Sequence, residues 1–358
     1  MAKLIRHFVG VTFLLSVVSG WAGTPRETYK VRFVPQKSGV ETSFRGVSAV
    51  DDTVAWVSGT GGTVLRTIDG GMSWIAKRVP DSDSLDFRDV EAFDKNTAYI
   101  LSAGLGGKSR IYKTRDGGEN WQRQFTNSFE AGFFDGIAFW DKDRGVAYSD
   151  PIDGRPLVMT TVDAGKHWAR IPPEKLPKVE EGEYGFAASG TGIVVAGGGS
   201  VWICTGGQAA RVFHSGDRGK SWQVSPTPIV KGVQSAGIFS VAFRDQSHGL
   251  AVGGDYRNPA QAGGTVAVTH DGGQTWQKSD TAGVVAFRSC VQYVPGHPEL
   301  VVAVGSDGNS ISQDGGLTWA NLDGVGYHTL SFGRAGANGW AAGANGRIAK
   351  CLIETTVQ

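Results

Sequence analysis

Seven places along the chain set a polar residue directly after an aromatic one or a glycine. They are Phe44-Arg45, Phe87-Arg88, Phe134-Asp135, Gly190-Thr191, Phe239-Ser240, Phe287-Arg288 and Tyr327-His328. A core position would be apolar in most copies. The second member here is polar in every one, so it reads as a ring of functional groups around one opening. Arg45, Arg88 and Arg288 carry planar forks that suit carboxylate or phosphate groups. Between these places lie Asp150 in SDPIDGR, Asp255 and Tyr256 in VGGDYR, and Glu183 in a long polar connection. Two chemistries are open to such a set. The arginines, with Thr191, Ser240, Tyr256 and His328, could hold an anionic or glycan ligand. Alternatively, two carboxylates among Asp135, Asp150, Glu183 and Asp255 could hydrolyse a glycosidic bond, provided they stand about 5–10 Å apart across a cleft. The bland alternative is a water-filled channel whose charges pair with one another. His328 alone reads as a hydrogen-bonded structural side chain.

The elements that must position this ring are written in a repeat. TIDGGMSW (67–74) recurs as TRDGGENW, TVDAGKHW, SGDRGKSW, THDGGQTW and SQDGGLTW, all in the frame Ser/Thr-x-Asp-x-Gly-x-x-Trp. Its aspartates are Asp69, Asp116, Asp163, Asp217, Asp271 and Asp314, spaced by 47, 47, 54, 54 and 43 residues. With 53 glycines and short apolar runs between turn residues, the chain is all-β. Each unit offers four strands; the first reads FRGVSAV (44–50), TVAWVSG (53–59), TVLRT (63–67) and WIAKRV (74–79). Several strands per unit at this period predict a β-propeller. The Asp motif fills the turn between strands C and D, on the face away from the polar ring, and its role is structural.

Six motifs make seven blades. After Trp319 come three more strands, in YHTLSFG, NGWAAG and GRIAKCLI (346–353), and TYKVRFVPQ (28–36) is the candidate fourth. Pairing of 28–36 beside 346–353 would close the ring and remove its open edges. The expected blades are about 44–80, 87–126, 133–172, 184–225, 237–279, 286–322, and 327–354 with 28–36, in one domain over 23–358. The connection PPEKLPKVEEGEYGFAASG (172–190) is long enough to suggest a functional loop.

The motif resembles the Asp box of BNR-repeat proteins. FRGVSAVDDTVAWVSGTGGTVLRTIDGGMSW (44–74) resembles a repeat of the photosystem II assembly-factor-like propellers. FFDGIAFWDKDRGVAYSDPIDGR (133–155), GEYGFAASGTG (182–192), GIFSVAFRD (237–245) and HGLAVGGDY (248–256) resemble exported bacterial propellers labelled oxidoreductase or BNR-repeat glycosyl hydrolase. These resemblances imply the fold and bring no catalytic residues with them. Sialidases also combine Asp boxes with a propeller, but their Tyr/Phe-Arg-Ile-Pro opening is absent, since residues 44–47 read FRGV. No strand–GxGxxG–helix unit accompanies an oxidoreductase reading. No cofactor is expected, and a glycoside hydrolase is the better enzymatic alternative to a binding scaffold.

The formal charge of +1, without a basic block, points away from nucleic acid. MAKLIRH, FVGVTFLLSVVSG and GWA-G follow the plan of a secretory signal peptide over 1–22, cleaved after Ala22. The expected protein is a monomer, periplasmic or secreted, without membrane insertion after cleavage. Its partner would be a protein segment or an acidic or glycan ligand. Cys204, Cys290 and Cys351 lack metal-binding spacing and read as buried free thiols, so no metal is expected.

Overall fold

A tight turn between two strands leaves backbone amides that need acceptors, and the Asp motif supplies them. Thr67 Oγ1 donates to Asp69 Oδ1 at 2.8 Å and accepts the Gly71 N–H at 2.9 Å. Asp69 Oδ1 accepts the Ser73 N–H at 3.0 Å, and Asp69 Oδ2 takes the Ser73 hydroxyl at 2.6 Å. The same Thr/Ser-to-Asp pair and the same glycine amide recur in the other five copies. Hydrogen bonds from Ser73 draw the Asp69 carboxyl down to about 2. The residue after each Asp takes a left-handed backbone: Gly70, Gly117, Gly272 and Gly315, but Ala164 (φ 62°) and Arg218 (φ 62°) in the third and fourth copies.

The structure, a computed structural model, describes residues 27–281, 285–334, 336 and 338–357. The expected signal peptide lies outside these residues. Among the described residues the strands form seven sheets. The first pairs Phe44–Ala49, Ala55–Gly59, Thr63–Thr67 and Ile75–Arg78 in order, all antiparallel. The last pairs Thr329–Phe332, Gly339–Ala342 and Ile348–Val357, and its fourth strand is Glu27–Gln36 from the other end of the chain. The register runs from Glu27 opposite Val357 to Gln36 opposite Ile348, as the sequence led one to expect. The long connection adds an element that the sequence reading left as loop. Glu183–Tyr184 pairs with Gly206–Gly207, which in turn pairs with Ala236–Phe243 and widens the fifth sheet to six strands.

Neighbouring sheets are locked by large side chains on their second strands. Trp56, Tyr99, Trp202 and Trp340 are fully buried and occupy matching positions. Tyr99 donates to the Ala164 carbonyl (2.8 Å) and Trp202 to the Gly272 carbonyl (2.7 Å), each in the Asp box of the next blade. Trp56 Nε1 donates to the Asp94 carbonyl at 3.3 Å and meets Trp121 edge-on. At the closure Trp340 Nε1 finds Gln36 Oε1 at 3.1 Å instead. The same oxygen accepts from Trp74 Nε1 at 3.1 Å, while Gln36 Nε2 donates to the Gly70 carbonyl at 3.0 Å. One glutamine on the borrowed strand therefore ties blade seven to blade one.

The innermost strands face the axis, where their edge amides have no neighbouring strand. Side chains of the preceding blade take that role: Ser48 accepts from Ala92, Asp89 from Ile137, Ser240 from Val291 and Ser331 from Ala49, at 2.8–3.0 Å. The polar axis thus begins as a backbone requirement.

Gln36→Ala strands two indole N–H groups and should lower unfolding free energy by about 2 kcal/mol or more in urea titration; a loss below about 0.5 kcal/mol would exclude the clasp. Ala164→Gly relieves a left-handed L-residue and should raise stability by about 1 kcal/mol in the same measurement; a loss would show that the turn is not strained there.

Candidate functional site

The polar ring is made by a bulge. Two residues of the innermost strand oppose one of its partner at Phe44/Gly46, Phe87/Asp89 and Phe134/Gly136, so Arg45, Arg88 and Asp135 are the extra residues. A bulged residue leaves the ladder and its side chain is re-aimed, here toward one mouth of the channel. In blade five the shift falls between Ile238 and Ser240, which makes Phe239 the extra residue. In blade six Cys290 opposes Val304 while the Ser289 N–H also reaches the Val304 carbonyl, so Ser289 holds the place. His328 holds it in blade seven, next to Thr329 opposite Ala342.

The ring read from the sequence is therefore displaced by one residue in two blades. Ser240 lies one step deeper, where its hydroxyl caps the Val291 amide and meets Thr191 Oγ1 at 2.6 Å. Arg288 points away from the axis and is buried under the outer strands of its own blade. Its guanidinium donates to Ser310 Oγ, Asn321 Oδ1 and the Phe287 carbonyl. The aromatic that precedes the polar residue was the wrong landmark. Hydrogen-bond register is the right one: the pairs Gly46–Ser58, Asp89–Leu101, Gly136–Tyr148 and Ser240–Val252 all span twelve residues. Counting back from the second strand by that constant length would have found Phe239.

The long connection closes the channel. Glu183, expected to lean over the mouth, is a buried clamp: it binds the Arg211 guanidinium, takes the Thr205 hydroxyl at 2.6 Å and accepts the Glu180 N–H at 2.8 Å. From this anchor residues 184–191 cross the axis. Arg88 Nη1 holds the Ala187 carbonyl at 2.9 Å, Ser189 Oγ donates to the Ser289 carbonyl at 2.7 Å, and Thr329 donates to the Ser189 carbonyl at 2.9 Å. The crossing is close: a Cβ on Gly185 would sit 2.6 Å from Asp135 Oδ2, and one on Gly190 would collide with Asp89. This septum divides the channel into a cavity of about 490 Å³ above it and one of about 240 Å³ below. Thr191 occupies its ring position but lies on the lower side, bonded to Ser189 and Ser240.

The upper cavity brings together six of the sequence candidates, Arg45, Arg88, Asp135, Asp150, Tyr256 and His328. It excludes Arg288, Ser240, Thr191, Glu183 and Asp255; the Asp255 carboxyl caps the turn after it by accepting the Arg257 N–H at 2.9 Å. It also holds an aromatic wall that sequence reasoning missed. Phe186 of the septum stacks on Phe239 at 3.9 Å, Phe287 meets Phe239 edge-on, and the half-exposed Tyr256 meets both Phe186 and Phe239. Phe186 comes from a loop without a repeat partner, and Phe239 was set aside as the packing member of its pair.

The charges opposite this wall are unequal in their pairing. Arg88 Nε is bonded to Asp86 at 2.7 Å. The Arg45 guanidinium has no hydrogen-bond partner among the described residues; burial and the adjacent Arg88 draw it down to about 10, still charged at neutral pH. His328 Nδ1 donates to the Phe44 carbonyl at 3.0 Å, and burial with the nearby Arg45 pulls it down to about 4, so the imidazole is neutral. Asp135 is buried and its Oδ2 is unpaired. Burial, then the neighbouring Asp150, push its carboxyl well above the ordinary range. Asp150 neighbours Asp135, accepts the Gly185 N–H at 2.9 Å, and is pushed up by burial to about 6. Both carboxyls close on one septum residue, Asp150 accepting the Gly185 N–H and Asp135 Oδ2 standing 2.6 Å from where a Cβ on Gly185 would sit, and neither Glu183 nor Asp255 lines this cavity. The four carboxylate candidates therefore do not form the separated pair that glycoside hydrolysis uses.

The BNR/Asp-box repeat model matches residues 267–278, the fifth turn. No curated protein sequence matches the chain. Among solved structures, YCF48 bound to a D1 peptide superposes with a TM-score of 0.63 at 17% identity, over 90% of this chain and 96% of that one. YCF48 from Cyanidioschyzon merolae gives 0.62 at 17% identity, over 89% and 98%. The GH74 xyloglucanase from Xanthomonas campestris gives 0.63 at 15% identity, over 90% of this chain and 53% of that one. At these identities the likeness concerns the fold: a seven-bladed propeller with BNR/Asp-box turns, similar to YCF48 and to part of a GH74 xyloglucanase.

Proposed function

We propose that this chain is an exported binding scaffold, periplasmic or secreted, that seats a protein segment in the upper cavity. The segment carries an acidic group beside a bulky apolar one. The observation that carries the reading is Arg45, a guanidinium at the mouth with no hydrogen-bond partner of its own among the described residues, facing a wall of stacked rings. An arginine left with free donors is an unfilled site for a carboxylate. The aromatic side offers apolar area and the exposed edge of Tyr256. The likeness to YCF48 bound to a D1 peptide supports a peptide over a small sugar as occupant. The hydrolase alternative loses support because Asp135 and Asp150 crowd against one septum glycine while Glu183 and Asp255 lie outside the cavity.

Fluorescence anisotropy with labelled decapeptides tests this, each peptide pairing Asp or Glu with Leu or Phe and having an Asn or Gln counterpart. Capture should be confined to the acidic series. The double variant Arg45→Gln/Arg88→Gln should weaken it by at least tenfold, in line with about 1.5–3 kcal/mol for a charge-assisted hydrogen bond, with the thermal midpoint little changed. Equal capture of acidic and neutral peptides, or by the double variant, would reject the reading.

A further inference from the structure

The upper cavity places an acid pair against the same arginine that an incoming anion would use. Asp135 lies beside Arg88, whose positive charge acts on it, and Asp150 lines the cavity wall. The Asp150 carboxyl accepts the Gly185 N–H at 2.9 Å, and a Cβ on that glycine would fall 2.6 Å from Asp135 Oδ2, so both acids meet the same septum residue. An ionised pair would thus set up to two negative charges next to Arg88 and within the cavity that holds Arg45. A protonated pair sets none there. We propose that the Asp135–Asp150 pair makes anion capture at this mouth proton-linked, so that an anion enters on Arg45 and Arg88 together with a proton on the pair. The inference rests on the anion-binding reading of the cavity and adds its regulation.

The surroundings of the pair limit which groups could produce such a dependence. Beside it on the third blade stands Tyr148, whose hydroxyl is buried and unpaired, and burial pushes that phenol well up. The second blade presents Asp86, Arg88 and Asp89, and the first presents Arg45. Cys204 approaches from the fourth blade, and burial holds its thiol well above the ordinary range. Tyr184, Tyr256 and Arg257 lie on the outer side, and His328, neutral near pH 5 and above, lies beyond Arg45. Asp89 is pushed well above the ordinary range by burial and caps the Ile137 amide below the septum. Both members of the pair line the cavity; Asp150 is the less buried of the two, and burial brings its proton loss to about 6. The sign follows directly. Below that pH the pair sets no negative charge in the cavity, and Arg45 is free to take an anion with Arg88 beside it. Above it the pair carries negative charge beside Arg88 and repels the anion, so affinity falls as pH rises.

Sulfate serves as the probe, with the thermal midpoint of the full chain measured at pH 5 and pH 8 with and without it. The Arg45→Gln variant supplies the non-specific salt effect, which is subtracted. The remaining sulfate gain should be at least threefold larger at pH 5 than at pH 8. Asp150→Asn, which keeps an acceptor for the Gly185 amide, should give the larger gain at both pH values; Asp135→Asn is the second variant should the first not fold. An equal gain at both pH values, a pH dependence that survives Asp150→Asn, or no gain that depends on Arg45 would each overturn the linkage. Peptide capture that ignores pH would overturn this inference and leave the binding reading intact. Proton-linked sulfate binding without peptide capture would do the reverse.

Discussion

Every sheet in this molecule would have two unsatisfied edges if it stood alone, and the whole arrangement answers that constraint. The outer strands of the first six blades are short, two to five residues each. The inner edge faces the axis, where no strand can pair with it, so its amides are met by Ser48, Asp89, Ser240 and Ser331 from neighbouring blades. The ring must close for each blade to have such a neighbour. Glu27–Gln36 closes it through ten register pairs with Ile348–Val357 and through Gln36, which replaces the box turn that the seventh blade does not have. A hydrophobic interface between blades would hold them together without fixing rotation. The indole and phenol hydrogen bonds to the next blade's turn fix it, so the bulged residues Arg45, Arg88, Asp135 and Phe239 arrive together at one mouth.

That level is where structure turns into chemistry. A regular strand would send successive side chains alternately into the two faces of its own sheet. The extra residue at Arg45, Arg88, Asp135 and Phe239 breaks this alternation and aims one side chain per blade along the axis. The septum then gives the mouth a floor. Its glycines approach Asp135, Tyr148 and Asp89 so closely that a side chain at 185, 190 or 192 would not fit. The cavity is consequently shallow, with an aromatic side contributed partly by Phe186 of the septum and a charged side contributed by blades one to three.

Much of this was legible in the sequence for one reason: the Asp box is a local device. Thr67, Asp69, Gly71 and Ser73 satisfy each other within seven residues, so the pattern survives in six copies and marks the blades. The borrowed strand was legible because three strands without a fourth demand a partner. The ring residues were only partly legible, because their placement depends on pairing between strands and not on local chemistry. Phe239 and Arg288 show the difference. Both sit in an aromatic-plus-polar context, yet register alone decides that Phe239 faces the cavity and Arg288 turns beneath Ser310. Glu183 was misplaced for a related reason: its partner Arg211 is 28 residues away, and no periodicity announces the pair.

Two groups of acidic residues are shifted in opposite directions, and the division explains why only one of them can respond to its surroundings near neutral pH. Asp69 and Asp116 lie at the surface, bonded to the amides and side chains of Ser73 and Asn120, and are held down to about 2. They stay charged at any physiological pH and act as fixed acceptors. Along the axis, the buried Asp135 and Asp89 and the partly buried Asp150 and Glu91 are pushed up, Asp150 to about 6 and Glu91 to about 7. For these a lower pH removes a charge that folding must otherwise desolvate, so their contribution to stability is largest in acid and is lost as pH rises through the folded values. The box aspartates act in the opposite sense, losing their contribution only as pH falls toward 2. A scaffold that needed only closure would gain nothing from raised carboxyls, because Ser48 and Ser331 cap amides at the axis without charge. Asp135 and Asp150 stand in the upper cavity with Arg45 and Arg88, whereas Asp89 and Glu91 line the lower one, where Asp89 also caps an amide of the ring.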